Sequence, residues 1–132
     1  MASKGGDRIM ELKNRSQYLD KLISVQDMEV IKVVTGIRRC GKSSLLKLMM
    51  AHLREQGVME EQILSMNFES MQFADMDSKS LYQYVMERAP KGKRLYLFLD
   101  EVQKVRDWQD AVNSFRVDLD CDIYVTGSNA YL

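Results

Sequence analysis

The chain has 132 residues, of which 45% are hydrophobic and only one is proline, and this composition indicates a globular and not a disordered chain. Its length allows one domain with a packed core. Lysine and arginine together number 19, as do aspartate and glutamate, so the overall charge gives no indication of binding to nucleic acid or to a membrane.

The apolar runs and the cysteines favour a cytoplasmic protein. No apolar run approaches the ~18 residues of a membrane span, and the first residues do not have the pattern of a signal peptide. Cys40 and Cys121 form neither a metal-binding nor a redox motif. Free thiols suit a reducing compartment, so we expect a cytoplasmic location.

The N-terminal part of the chain divides into two segments. Residues 1–8 are small and polar and are expected to be a disordered lead. Residues 9–27 are predicted to form a helical segment that packs on the rest, because their apolar residues recur at helical spacing: Leu12, Leu19, Leu22 and Ile23. Residues 28–132 then form the main domain.

Strands and helices alternate through the main domain. Apolar runs predict strands at residues 30–35, 63–68, 95–99 and 123–126, the first of them buried on both faces. A helix is expected over about residues 42–56 with Gly57 as its C-terminal cap. Two more helices are expected to begin after the caps Ser78 and Asp107. This alternation predicts a parallel α/β sheet with right-handed crossovers.

A phosphate-binding motif lies between the first predicted strand and the helix that follows it. Residues 36–43 read Gly-Ile-Arg-Arg-Cys-Gly-Lys-Ser and match the P-loop pattern G-x-x-x-x-G-K-[ST]. In this pattern glycines let the backbone approach a ligand, and the N–H groups of the loop and of the helix N-terminus cradle an anion. The residues predicted to bind nucleotide phosphates are Gly36, Ile37, Arg38, Arg39, Cys40, Gly41, Lys42, Ser43 and Ser44.

Individual side chains of the motif have different predicted roles. Lys42 would reach the β- and γ-phosphates as a catalytic group, and the hydroxyl of Ser43 would be a ligand of Mg²⁺. The roles of Arg38 and Arg39 stay open, because one of them can lean over the phosphates or both can pair with acidic neighbours. The cofactors expected from the motif are therefore ATP and Mg²⁺.

Polar residues follow the other predicted strands, at the sheet edge where ligands bind in parallel α/β folds. Asp100 ends an apolar strand, as a metal-binding Walker-B acid does, and Glu101 beside it is placed to polarise an attacking water. Ser128 or Asn129 could contact the γ-phosphate or that water, and the sequence does not choose between them. Asn67 and Glu69 either reach the metal or only cap the end of their strand.

Together these motifs resemble the AAA-type ATPases of bacteria and archaea that carry a C-terminal domain of unknown function. The resemblance covers about residues 15–132 and rests on residues 35–43, 67–69, 98–103 and 125–130. It implies a P-loop NTPase three-layer sandwich, with a parallel sheet of strand order 2-3-4-1 and helices on both faces. It also implies that Ser128 and Asn129 occupy the first sensor position.

The resemblance implies a domain that binds ATP and Mg²⁺ and hydrolyses ATP in the complete protein. Its members continue past the sensor strand with a fifth strand, a helical lid and a C-terminal domain, so this chain looks truncated after its fourth strand and is expected to turn over weakly. Two alternatives stay open: a P-loop small-molecule kinase, and a non-hydrolysing nucleotide-gated binding module. The expected partners are ATP or ADP and, through the missing region, a protein or a second copy.

Overall fold

Helices and strands alternate along the residues that the structure describes. It is a computed structural model covering residues 15–35 and 39–127, without the side chains of residues 15, 16, 39 and 40. The elements in chain order are α1 (Arg15–Ser24), β1 (Lys32–Val34), α2 (Arg39–Glu55), β2 (Ile63–Asn67), α3 (Ser78–Arg88), β3 (Leu95–Asp100), α4 (Trp108–Asp118) and β4 (Cys121–Thr126). None of the helices in these ranges has both the length and the apolar character that crossing a bilayer requires.

The four strands form one parallel sheet in the order β1-β4-β3-β2. This is the predicted order 2-3-4-1 counted from the opposite edge, so the predicted topology is confirmed. The register pairs Val34 with Thr126 and Asn67 with Asp100, so the carboxyl ends of the strands lie level with one another. The last residues of the strands are thereby brought to one edge of the sheet.

Helices cover both faces of the sheet, which confirms the three-layer arrangement. On one face, α3 and α4 pack on alternate strand residues, among them Leu97, Leu99 and Val125. On the other face, α1 and α2 pack on the intervening residues, among them Phe98 and Tyr124. Strands β3 and β4 are buried on both faces because successive side chains point into the two different layers.

The first strand lies at an edge of the described sheet, as the predicted strand order requires, but its burial differs from the prediction. It is short and pairs only with β4. Val30 precedes the strand and is 53% exposed, and Val33 within it is 48% exposed. The expected burial on both faces is therefore wrong for β1: Lys32 and Val34 are buried on one face, whereas Val33 on the other is exposed because the layer of α3 and α4 packs on β2, β3 and β4.

The three predicted helix caps have different outcomes. Gly57 does end α2: its φ is +93°, and the N–H groups of Gly57 and Val58 donate back to the last turn. Ser78, however, is the first residue of α3, whereas Asp77 is its cap and accepts from the Ser80 N–H at 3.0 Å. Asp107 stands before α4 with a φ of 58°, but its side chain makes no capping hydrogen bond.

Candidate functional site

Several polar residues meet where the carboxyl ends of the strands face the start of α2. Lys42 and Ser43 lie in the first turns of that helix. Asp100 ends β3, Glu101 follows it directly, and Thr126 ends β4. Parallel strands direct their last residues to one edge, and a helix that begins at this edge places its unpaired N–H groups there too.

Lys42 is buried and fully engaged by neighbouring groups. Its side chain is 1% exposed, and its ammonium donates to the carbonyl of Gly127 at 2.6 Å. The same ammonium lies 3.5 Å from Oε2 of Glu101. A buried charge needs a partner of opposite charge and hydrogen bonds, and Lys42 has both.

Asp100 is held through both of its carboxylate oxygens. The Ser43 hydroxyl donates to Oδ2 at 2.5 Å, and the Thr126 hydroxyl donates to Oδ1. Asp100 is 5% exposed and lies at the rim of the apolar core. The carboxylate therefore has a defined orientation between α2 and β4.

Glu101 has an unusual backbone conformation. Its φ and ψ are 59° and 50°, in the left-handed region that non-glycine residues rarely occupy. The Glu101 N–H donates to the Thr126 hydroxyl at 3.0 Å, and Gln103 Nε2 donates to Glu101 Oε1 at 2.8 Å. Such a conformation costs about 1–3 kcal/mol and is found most often at functional sites, where surrounding contacts maintain it.

The donor atoms at this edge are of the kind that Mg²⁺ prefers. Ser43 and Asp100 present a hydroxyl and a carboxylate in direct contact. Among the described residues no group of three or more His, Cys, Asp or Glu side chains forms a protein-only metal site. Mg²⁺ is commonly held by one or two oxygen side chains together with substrate phosphates, so this donor set fits it.

The structure places the other predicted site residues as follows. Gly41 and the half-buried Ser44 flank Lys42 and Ser43 on α2. Asn67 is exposed at the end of β2, beside Asp100 in the sheet register, and its Oδ1 accepts from the Glu69 N–H at 3.0 Å. For Arg39 and Cys40 only the backbone is described, and the remaining residues lie outside the described ranges: Gly36, Ile37, Arg38, Ser128 and Asn129.

Three residues that contact the site were given no individual role by the sequence analysis. Thr126 bonds to Asp100 and to the backbone of Glu101, the Gly127 carbonyl accepts from Lys42, and Gln103 bonds to the Glu101 side chain. A threonine that ends an apolar strand gives only a weak signal, because threonine is common in strands. A backbone carbonyl gives none.

A second polar cluster lies at the opposite, amino-terminal edge of the sheet. Lys32 and Asp122 form a buried ion pair, and the Tyr124 hydroxyl and the Asp27 N–H also donate to Asp122, at 2.7 and 3.0 Å. Burial, with a hydrogen bond to Asp27, raises the pKa of Tyr96 to about 12. Burial disfavours ionised Asp27 as well, but hydrogen bonds from Tyr96, Gln26 and Arg94 outweigh it and lower the pKa of Asp27.

Comparison with known proteins gives two matches. A family model described as an AAA domain matches residues 29–132. A Haemophilus influenzae protein described as "Uncharacterized protein" is 41% identical over 121 residues, which are 90% of this chain and 30% of that protein. The chain thus spans less than a third of that relative. No solved structure matches the chain significantly.

Proposed function

We propose that this chain, which belongs to the AAA domain family, binds ATP with Mg²⁺ and forms the ATP-hydrolysing part of a larger protein. One observation carries the proposal: at the carboxyl edge of the sheet, Lys42 contacts Glu101 and Ser43 contacts Asp100. A cation, a hydroxyl and two carboxylates at a helix N-terminus are the groups that phosphoryl transfer requires.

Phosphate binding is assigned to the start of α2 and the loop before it. The N–H groups of the first helical turn and the Lys42 ammonium would supply positive charge, and we assign residues 36–40 to the same phosphate site from the motif alone. The Lys42 ammonium is held by Gly127 and Glu101 and is therefore already out of contact with water. A phosphate could replace these partners without a further desolvation cost for the ammonium.

Ser43 and Asp100 are assigned to hold Mg²⁺. Bound there, the ion would neutralise the charge of the phosphates and orient them. The Ser43 hydroxyl and the Asp100 carboxylate supply its protein ligands. Because Asp100 is anchored by hydrogen bonds through both oxygens, little reorganisation is needed to present it.

Glu101 is assigned to polarise the water that attacks the γ-phosphate. Its side chain is 2% exposed and is oriented by Gln103 and Lys42. Ser128 or Asn129, at the sensor position, would contact the γ-phosphate. A carboxylate at this position, next to Asp100, favours water as the acceptor and therefore hydrolysis over phosphoryl transfer to a small molecule.

The activity of the whole protein is a further part of the proposal. The H. influenzae relative is more than three times longer than the matched region. We therefore assign the binding of partner subunits, and of the substrate on which ATP-driven work is done, to the rest of the protein. We place the protein in the cytoplasm, where ATP is available and free thiols persist.

The test of hydrolysis is Glu101→Gln, which keeps the size of the side chain and removes its charge. We expect the variant of the complete protein to retain ATP–Mg²⁺ binding and to lose phosphate release by about 10²–10⁴-fold, the usual contribution of a general base. Glu87→Gln is the control, because Glu87 is an exposed residue of α3.

ADP formation and phosphate release should both be measured with and without candidate small-molecule acceptors. ADP that forms only with an acceptor, without an equal amount of free phosphate, would replace hydrolysis by a kinase reaction. Undiminished release from Glu101→Gln would contradict the role of Glu101.

A further inference from the structure

The hydroxyl of Thr126 connects the two carboxylates of the candidate site. Thr126 is fully buried at the end of β4. Its hydroxyl donates to Asp100 Oδ1 and accepts from the Glu101 N–H at 3.0 Å. One side chain on the neighbouring strand thus contacts both acidic residues at the end of β3.

One of these hydrogen bonds restrains the side-chain torsion of Asp100, and the other restrains the backbone of Glu101. The final torsion of an aspartate is broad, so a carboxylate without anchors samples many orientations. Thr126 on one oxygen and Ser43 on the other fix the plane of the Asp100 carboxylate. The bond to the Glu101 N–H supports the left-handed backbone at that residue, whose φ is 59°.

We propose that Thr126 is a positioning residue that orients Asp100 toward Mg²⁺ and fixes the backbone from which Glu101 reaches the site. This inference rests on the proposed function, because it concerns the same ATP–Mg²⁺ site. Hydrogen-bond partners of metal ligands typically change metal affinity by 10–100-fold when they are removed. Thr126 has that relation to Asp100.

A purely structural role for Thr126 makes a different prediction. A buried hydroxyl that only satisfies a carboxylate would affect the stability of the fold and leave the Mg²⁺ dependence of nucleotide binding unchanged. The quantity to measure is therefore the gain in ATP affinity when Mg²⁺ replaces EDTA. This ratio compares one variant with itself and does not depend on the fraction of folded protein.

The experiment measures ATP affinity of this chain by calorimetry in Mg²⁺ and in EDTA for Thr126→Val, Thr126→Ala and Thr126→Ser. Val and Ala remove the hydroxyl, and Ala does so without bulk that could crowd the strand, whereas Ser retains it. Tyr124→Phe is the matched control, because Tyr124 is also buried on β4 and bonds to an aspartate, but at the opposite edge of the sheet.

We expect Thr126→Val and Thr126→Ala to reduce the gain from Mg²⁺ by about 10-fold or more and to leave the affinity in EDTA near that of the parent. Thr126→Ser and Tyr124→Phe should keep the parent's gain. An unchanged gain in Thr126→Ala, or in a folded Thr126→Val, would overturn the inference while leaving the proposed function intact. A parent chain that binds no ATP would instead contradict the proposed function.

Discussion

Lys42 carries its charge in a position almost without access to water. Its ammonium lies between the Gly127 carbonyl and the Glu101 carboxylate, and both partners come from the ends of strands. An isolated buried ammonium is costly, and these contacts offset part of that cost. The same contacts hold it beside the start of α2, where an incoming phosphate would meet it.

The sequence singled out four side chains that the structure brings together, but not the residues that support them. Lys42, Ser43, Asp100 and Glu101 were singled out because they occupy fixed positions in motifs or directly follow an apolar run. Gln103, by contrast, was assigned no role, because its contact depends on the left-handed turn at Glu101. No local pattern of residue types reports that turn.

Asp100 and Glu101 are adjacent but are expected to differ in their effect on binding. Asp100→Asn keeps the shape and the hydrogen bond from Thr126 but removes the charge that attracts Mg²⁺. We expect the affinity for ATP in EDTA to stay near the parent value. The gain on adding Mg²⁺ should fall by more than the 10–100-fold that is typical of supporting residues.

The control for this prediction is Asp107→Asn, since Asp107 is an exposed carboxylate between β3 and α4 whose side chain makes no capping bond. Titrations in a series of Mg²⁺ concentrations would measure the effect. A full Mg²⁺ response in Asp100→Asn would mean that the ion is bound elsewhere.

At the scale of elements, the lengths and ends of β1 and its preceding loop were the least predictable. The apolar run at residues 30–35 predicted a buried strand, whereas only Lys32–Val34 pair with β4. The loop before it is fixed instead by polar contacts: Lys32 donates to the Met28 carbonyl at 2.8 Å, and Asp27 bonds to Asp122 and Tyr96. The sequence did contain a signal for this amino-edge cluster: Lys32 and Asp122 are charged residues within the otherwise mostly apolar strands β1 and β4.

The ion pair between Lys32 and Asp122 should be important for stability. The two side chains are 3% and 0% exposed, whereas those of Arg54 and Glu60, which also pair, are 46% and 71% exposed. Lys32→Met removes one partner and leaves a buried carboxylate, so we expect a loss of about 3–5 kcal/mol in the free energy of unfolding.

Arg54→Met breaks the exposed pair and is the matched control, with an expected loss of about 0–1 kcal/mol. Denaturant unfolding of both variants measures the difference. Equal losses would show that the amino-edge cluster does not anchor β1 and its loop.

At the scale of the whole molecule, the sheet separates two polar regions. The ion pair of Lys32 and Asp122 lies at the amino edge, and the candidate nucleotide site lies at the carboxyl edge. The parallel topology was predictable because strands and helices alternate, and the strand order followed from the resemblance. The register between β3 and β4, which brings Thr126 next to Asp100, was not predictable from the sequence, because register depends on packing between distant segments.

We propose that this carboxyl edge binds the phosphates of ATP through Lys42. Calorimetric titration of ATP with Mg²⁺ into the parent chain, Lys42→Gln and Lys47→Gln tests it most directly. Lys47 is an exposed lysine of the same helix and controls for net charge. Circular dichroism of each variant would confirm that it is folded.

We expect the parent and Lys47→Gln to bind one equivalent of ATP with similar affinity. Lys42→Gln should lose at least the 1.5–3 kcal/mol typical of a hydrogen bond to a charged group, or about 10–150-fold in Kd. If folded Lys42→Gln bound ATP as tightly as the parent, the phosphate site would not lie at the start of α2, and the account given for this edge of the sheet would be wrong.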